Sequence, residues 1–249
     1  MNKYGLLGRI LSHSFSKIIH EYFFDVNGIC ASYDLIEIEE NQIEETLELL
    51  RKNVYQGFNV TIPYKETVIK YLDELSLAAS NINAVNTIYV KDGKLIGDNT
   101  DYLGFIEQLN YLQIEVQNKD IYVLGSGGAS KALCYALRKL NANPVIVSRN
   151  KEDGITYSEL ENIDSFYMII NTTPVGMYPN IDGEILPKRI VEKAKYAIDI
   201  ICNPKVTKFL DYSKCGHNGI LMLIYQALHA EKLWGNDLKF SINDLLEKL

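Results

Sequence analysis

Ile121-Tyr122-Val123-Leu124-Gly125-Ser126-Gly127-Gly128-Ala129-Ser130 is the stretch on which the fold turns. Four residues of strand character run into a glycine-rich turn, and an apolar helical periodicity takes over from Ala129 to Leu140. Strand, G-x-G-x-x turn and helix, in that order, make the first half of a nucleotide-binding βαβ unit. Gly125 permits the tight turn and Gly127 lets backbone approach a pyrophosphate. The N-terminus of the helix then offers free N–H groups and the positive end of its dipole. A tight turn with no ligand would use the same glycines, but the full context weighs toward a dinucleotide. The next strand, Val145-Ile146-Val147, runs into Ser148-Arg149-Asn150-Lys151. NAD sites place an acid at that strand end to take the ribose 2′-hydroxyl. None occurs between Val145 and Lys151, and a guanidinium suits a 2′-phosphate, so NADP is the expected cofactor; a merely solvated Arg149 is the competing reading.

Working outward, short apolar strands alternate with helical stretches along all 249 residues, the pattern of an α/β protein. Toward the N-terminus, strands are expected at Tyr4 to Leu7, Ser32 to Ile38 and Gly57 to Ile62, with Pro63 as the stop. A helix is expected near Lys17 to Asn27. A second should be capped by Asn41 with Glu44 at the third position and bury Ile43, Leu47 and Leu50. Asp92-Gly93 marks a hairpin joining Ala84 to Val90 with Lys94 to Ile96. Toward the C-terminus follow strands at Tyr167 to Ile170 and Ala197 to Ile201, then helices at Leu221 to Leu233 and Ile242 to Leu249.

Composition narrows the function. Lys plus Arg number 25 and Asp plus Glu 32, a net charge of −7, and no basic run stands out, which argues against a nucleic-acid partner. No apolar run approaches the ~18 residues of a membrane span. The first residues, broken by Arg9, His13 and several serines, do not read as a signal peptide. Cys30, Cys134, Cys202 and Cys215 are scattered, without a C-x-x-C pair, so neither a disulfide framework nor a zinc site is expected. A reducing, cytoplasmic setting is. The histidines at 13, 20, 217 and 229 read as structural.

Three segments of the N-terminal half are too polar for plain core. In Ser12 to Ser16, paired hydroxyls before a helix suit a carboxylate, although capping alone would explain one of them. In Asn59 to Lys65, strand alternation should aim Asn59 and Thr61 to one side, with Lys65 just beyond. The third comprises Asn86 and then Gly97 to Asp101. A lone Lys is usually a solvated charge, but a Lys brought near an Asp at an interdomain cleft is an acid/base pair in waiting.

Seven segments taken in order resemble the shikimate dehydrogenases: Ser14-Phe15-Ser16, Asn59 to Lys65, Asn83 to Thr87, Gly97 to Asp101, Gly125 to Ser130, Asn171 to Met177 and Gln226 to Ala230. The resemblance covers nearly the whole chain. It implies a two-domain α/β fold, an N-terminal substrate domain (1–101) and a Rossmann NADP-binding domain (102–218) separated by a cleft, with C-terminal helices (219–249) returning to the first. It implies reversible NADPH-dependent reduction of 3-dehydroshikimate to shikimate, in the route to chorismate and the aromatic amino acids, by a monomer or homodimer. Lys65 and Asp101 would be the catalytic pair. Ser14 and Ser16 would hold the substrate carboxylate, and Thr61, Asn86, Asp101 and Gln226 its hydroxyls. Gly125, Ser126, Gly127, Gly128, Ala129, Ser148, Arg149, Asn150, Thr172, Gly219 and Met222 would hold the cofactor, and no metal is implied.

The chain departs from the family pattern at several places. Arg9-Ile10 stands for the usual Asn-Pro, Lys17 for Pro, Tyr102 and Leu221 for Gly, Cys202 for a substrate-side Tyr, and Asn150 for Thr. The stretch from Asn150 to Phe166 is short, with its usual helix nearly absent, so Arg149 and Lys151 would hold the adenosine phosphate with less support. Cys202 and Leu221 keep open a quinate/shikimate dehydrogenase of relaxed specificity using NAD or NADP. A non-catalytic NADP-binding paralogue is the further alternative, against which Lys65 and Asp101 stand.

Overall fold

Two sheets with different strand directions organise the chain. The structure is a computed structural model describing residues 1–12 and 14–249; His13, read above as structural, lies outside the described residues. One compact unit comprises Met1–Thr100 and Ile224–Leu249, the other Asp101–Leu223.

In the first unit, β1 (Asn2–Gly8) runs parallel to β2 (Ala31–Glu37) on one side and β3 (Gly57–Val60) on the other, with Leu6 opposite both Leu35 and Asn59. The crossovers carry α1 (Ser16–Val26), which buries Ile19, Phe23 and Phe24, and α2 (Ile43–Arg51), which buries Ile43, Leu47 and Leu50 as the 3.6-residue period requires. The start of α2 differs from expectation. A 3₁₀ turn, Glu40–Gln42, precedes it, and the capping box is Glu39 with Gln42 instead of Asn41 with Glu44. Strand β3 ends at Val60, two residues short, because Thr61 to Lys65 turn away once Thr61 N–H has bonded the Leu7 carbonyl at 2.9 Å. After β4 (Glu74–Leu75) and α3 (Leu77–Ile82), the hairpin of β5 (Thr87–Lys91) and β6 (Lys94–Asp98) closes through Asp92 and Gly93, both at positive φ. The sheet order is β2-β1-β3-β5-β6-β4. With β5 antiparallel to both β3 and β6, the ends of β1, β3 and β6 and the start of β5 all leave the sheet at one edge.

The second unit opens with α4 (Asp101–Tyr111). It continues through β7 (Asp120–Leu124), α5 (Gly128–Lys139), β8 (Asn143–Ser148), β9 (Ile155–Thr156), α6 (Tyr157–Glu161), β10 (Phe166–Asn171), α7 (Lys188–Val191), β11 (Ala194–Asp199), α8 (Lys208–Asp211) and β12 (Gly216–His217). All six strands are parallel in the order β12-β11-β10-β7-β8-β9, so the chain starts in the middle, builds one half and then the other. A parallel sheet must be covered on both faces. Ile121 and Val123 accordingly pack with Phe105, Leu133 and Leu137, while Leu124 packs with Leu160, Ile190 and Phe209.

α9 (Ile220–Leu233) contains the second unit boundary, between Leu223 and Ile224. The boundaries read from sequence fell after residues 101 and 218; a boundary inside a helix leaves no loop signal to find. Beyond it, Trp234 stacks on Tyr4 with ring centroids 4.7 Å apart, and α10 (Ile242–Lys248) is capped by Ser241.

Candidate functional site

The edge of the first sheet where β1, β3 and β6 end and β5 begins carries polar segments singled out in the sequence. Ser16 begins α1, and Ser14 stands just before its cap residue. The Ser14 hydroxyl accepts the Ser16 N–H at 3.2 Å, taking the capping role that Phe15, the formal cap residue, cannot. An accepting hydroxyl keeps its own proton to donate, so capping does not use Ser14 up. Ser16 is buried. Thr61 and Lys65, both half-buried, flank Tyr64, whose hydroxyl donates to the Ile38 carbonyl at 2.6 Å. The Lys65 carbonyl accepts the Val85 N–H at 2.7 Å, which ties its turn to the segment carrying Asn86.

Asn86 is 2 % exposed, and its amide is oriented by its neighbours. Oδ1 accepts the Thr100 N–H at 2.7 Å and the Thr87 hydroxyl at 3.0 Å, while Nδ2 donates to Thr100 Oγ1 at 3.0 Å and Gln226 Oε1 at 3.2 Å. A buried amide with satisfied groups at both ends has one orientation. Gln226, from the part of α9 that belongs to this unit, is thereby held by its carbonyl oxygen. Thr87 and Thr100, the threonines of the two Asn-Thr pairs in Asn83 to Thr87 and Gly97 to Asp101, do the orienting. Neither is among the site residues that the sequence suggests, although the repeated pair is an available signal. Asn59 does not share a strand face with Thr61, because β3 stops between them. It turns inward, accepting the Tyr33 hydroxyl at 2.7 Å and donating to Asn86 O at 3.2 Å and Thr87 Oγ1 at 3.1 Å. Asp101 follows Thr100 directly. It is buried, opens α4 and belongs to the second unit, whereas Lys65 belongs to the first.

In the second unit the strand order reverses between β7 and β10, the place where open parallel sheets bind ligands beyond their carboxyl ends. The turn after β7 lies there. Gly125 takes φ +107, and a Cβ on it would come within 3.0 Å of Thr172 Oγ1 and 3.1 Å of Thr173 Cγ2. That conformation and that space both demand glycine. At Gly127 an added Cβ would meet nothing within 4 Å, so the turn presents open backbone in front of the twelve-residue α5. Ser126, Gly128 and Ala129 are half-buried around it. Open glycine backbone before a helix N-terminus fits a dinucleotide pyrophosphate. The Thr172 hydroxyl donates to the Leu124 carbonyl at 2.6 Å, which leaves its oxygen as an acceptor.

At the end of β8, Ser148 is buried while Arg149 and Asn150 are exposed. Lys151 forms an ion pair with Glu159, and this contact, with the Thr156 N–H and hydroxyl, holds the Glu159 carboxyl down at about 2. The region after Asn150, read as nearly helix-free, holds a 3₁₀ turn and the five-residue α6. Gly219 lies against the Ile200 backbone, where a Cβ would come within 2.3 Å of the carbonyl oxygen. Met222 donates its N–H to Gln108 Oε1 at 3.1 Å, and its side chain packs in the apolar core with Phe105 and Leu133. Leu221 is buried beside it in sequence. Burial, and then the charge of Asp199, push the Cys202 thiol up to about 12, so that it stays protonated and unreactive at neutral pH.

Comparison with known proteins bears on both units. Residues 6–88 match the family model described as the shikimate dehydrogenase substrate binding domain. The chain is 40% identical, over 94% of its length and 92% of the relative's, to a shikimate dehydrogenase (NADP(+)) of Clostridium perfringens. Among solved structures, shikimate dehydrogenase 1 of Peptoclostridium difficile superposes with a TM-score of 0.90 at 37% identity, covering 100% of this chain and 96% of that one. The Thermus thermophilus shikimate 5-dehydrogenase in complex with NADP(H) and shikimate superposes with a TM-score of 0.90 at 28% identity, covering 100% and 98%.

Proposed function

Since the chain belongs to the shikimate dehydrogenase family, NADP-linked oxidoreductases, we propose that it reduces 3-dehydroshikimate to shikimate reversibly with Lys65 and Asp101 as its acid–base pair. The cofactor supplies the hydride, and the protein positions, neutralises and moves a proton. Lys65 stabilises the negative charge that develops on the ring oxygen and delivers the proton there, and Asp101 orients the ammonium. Ser14 and Ser16 hold the carboxylate. Thr61, Asn86 and Gln226 hold the hydroxyls, a task for which fixed amides are suited because a wrong hydroxyl pattern would leave them unpaired. Gly125 to Ala129 receive the pyrophosphate. Ser148, Arg149 and Asn150 receive the adenosine end, and Thr172, Gly219 and Met222 stand on the nicotinamide side.

The observation that carries this reading is the Asn86 amide, buried and locked by Thr87, Thr100 and Gln226 directly before Asp101. Burying such groups costs free energy that packing alone does not require. The four free cysteines accord with a cytoplasmic setting, no helix among the described residues is long and apolar enough to cross a membrane, and a monomer or homodimer serves the reading equally.

The test follows reduced nicotinamide by absorbance while crossing shikimate and quinate with NADP and NAD, for the wild type and Lys65→Ala. Turnover is expected with shikimate and NADP. The variant should lose about 10²–10⁴ in kcat and keep its NADPH affinity. Wild-type turnover in Lys65→Ala would remove Lys65 from the chemistry. Quinate oxidation as fast as that of shikimate would favour the relaxed-specificity reading that Cys202 motivates.

A further inference from the structure

The turn after β8 carries a carboxylate for which the cofactor reading gives no role. Ser148 ends the strand, 7 % exposed, and its hydroxyl accepts the Asn150 N–H at 3.0 Å and donates to Asp153 Oδ2 at 3.0 Å. The backbone holds the same geometry. The 3₁₀ turn Lys151–Asp153 closes through Asp153 N–H to the Asn150 carbonyl at 3.2 Å. Gly154 then passes so close to β8 that a Cβ would lie 2.2 Å from the Ile146 carbonyl oxygen. β9 finally pairs Ile155 with Val147 and Thr156 with Ser148. Five residues beyond Ser148 in sequence, Asp153 is thus brought back to the strand end, outside the acid-free window that pointed to a 2′-phosphate.

The cations there are fewer than the sequence suggests. Lys151 is already paired with Glu159, whereas Arg149, next to Ser148 in sequence, is exposed. In a sheet of this strand order the end of the second strand faces the adenosine ribose. A carboxylate at that point accepts from a 2′-hydroxyl and repels a 2′-phosphate.

We propose that Asp153, tethered by Ser148, is a specificity-determining residue that opposes the 2′-phosphate and accepts the 2′-hydroxyl, so that the chain binds NAD as well as NADP and its preference for NADP is held down. The inference rests on the placement of the cofactor at Gly125 to Ala129 and Arg149. Arg149 supplies the attraction for the phosphate and Asp153 the counterweight, and the ratio of the two affinities reads the balance directly.

The experiment is titration calorimetry of the full chain with NADP+ and with NAD+, for the wild type, Asp153→Asn and Asp153→Ser. The second variant keeps a hydroxyl for Ser148 to bond and removes the charge. Both variants should move the Kd ratio toward NADP+ by about fivefold at low ionic strength, mostly through tighter NADP+ binding. The difference from the wild type should narrow as salt is raised, because repulsion between exposed charges is screened over ~10 Å at 0.1 M. An unchanged ratio, or equal weakening of both nucleotides, overturns the role of Asp153 while leaving the cofactor site standing. A wild-type chain that binds neither nucleotide overturns the cofactor placement and this inference together.

Discussion

Asp199 shows how one residue holds the loops on which the second unit's site depends. It is wholly buried at the end of β11. Oδ1 accepts the Ile201 N–H at 3.0 Å, Oδ2 accepts the Thr207 hydroxyl at 2.7 Å, and Asn171 Nδ2 donates to both oxygens at 3.2 Å. The carboxylate therefore staples the loop that begins at Thr172 to the one that carries Cys202. Burial nevertheless outweighs these bonds and pushes its carboxyl up to about 6, against about 4 in an unfolded chain. Between those values the folded state holds a proton that the unfolded state has shed. The stability this adds is complete below about pH 4 and is lost as pH rises through about 6, up to about 3 kcal/mol in all. Asp199→Asn should remove the dependence, since an amide oxygen still accepts from Ile201 and Asn171 and its nitrogen donates to Thr207. In urea unfolding from about pH 4 to about pH 7, the wild type's advantage over the variant should shrink steadily. A constant difference would mean that this carboxyl ionises in the folded state as it does in the unfolded one.

At the scale of elements, α1 and α9 are joined by a fully buried pair, His20 Nδ1 and Glu231 Oε1, 2.5 Å apart. Glu231 also accepts from Asn236 Nδ2 at 2.6 Å, and the His20 ring stacks on Tyr33 with centroids 4.1 Å apart. A buried polar pair is costly to break and cheap to replace whole. Glu231→Leu alone, which strands His20, should cost about 3–5 kcal/mol, and His20→Phe with Glu231→Leu should recover most of it. Denaturant midpoints of the two single variants and the double variant measure the coupling, and additive losses would show that the pair does not act as a unit. Nothing in the sequence announced the pair, because His20 and Glu231 stand 211 positions apart on two apolar helices. What was legible was whatever repeats locally: the βαβ around Gly125, the buried stripe of α2, and the Asp92-Gly93 hairpin. The two-residue strands β4, β9 and β12 and the four-residue α7 and α8 are too short to show a period and exist because a neighbouring strand or helix completes them. The site was half legible for the same reason. Asn86 and Lys65 lie in segments too polar for plain core and Gln226 came only with the family resemblance, but the return of Asp153 to Ser148 is made by a turn and a bridge that spacing alone does not encode.

At the scale of the molecule, the chain crosses between its units twice, at Thr100–Asp101 and within α9 at Leu223–Ile224. The second crossing has no loop to absorb independent motion of the chain. Unfolding the second unit removes the first turn of α9, and with it the helical start that the turns carrying Gln226 and Glu231 continue. Short isolated helices are marginal in water, so loss of the first turn should propagate. Unfolding is therefore expected to be a single transition, and the chain carries its own probe. Its one tryptophan, Trp234, sits in the first unit with its Nε1–H donating to the Ile88 carbonyl at 3.2 Å, whereas the residues read as holding NADP from Gly125 to Thr172 lie in the second. NADP+ at about a hundred times its Kd adds about 2.7 kcal/mol of stability, which for a chain of this size raises Tm by roughly 5–10 °C. Followed by tryptophan fluorescence and by far-ultraviolet circular dichroism, the two midpoints should coincide without cofactor and rise together with it. A dichroism midpoint that climbs while the fluorescence midpoint stays in place would show that the first unit unfolds on its own and that α9 does not couple the two.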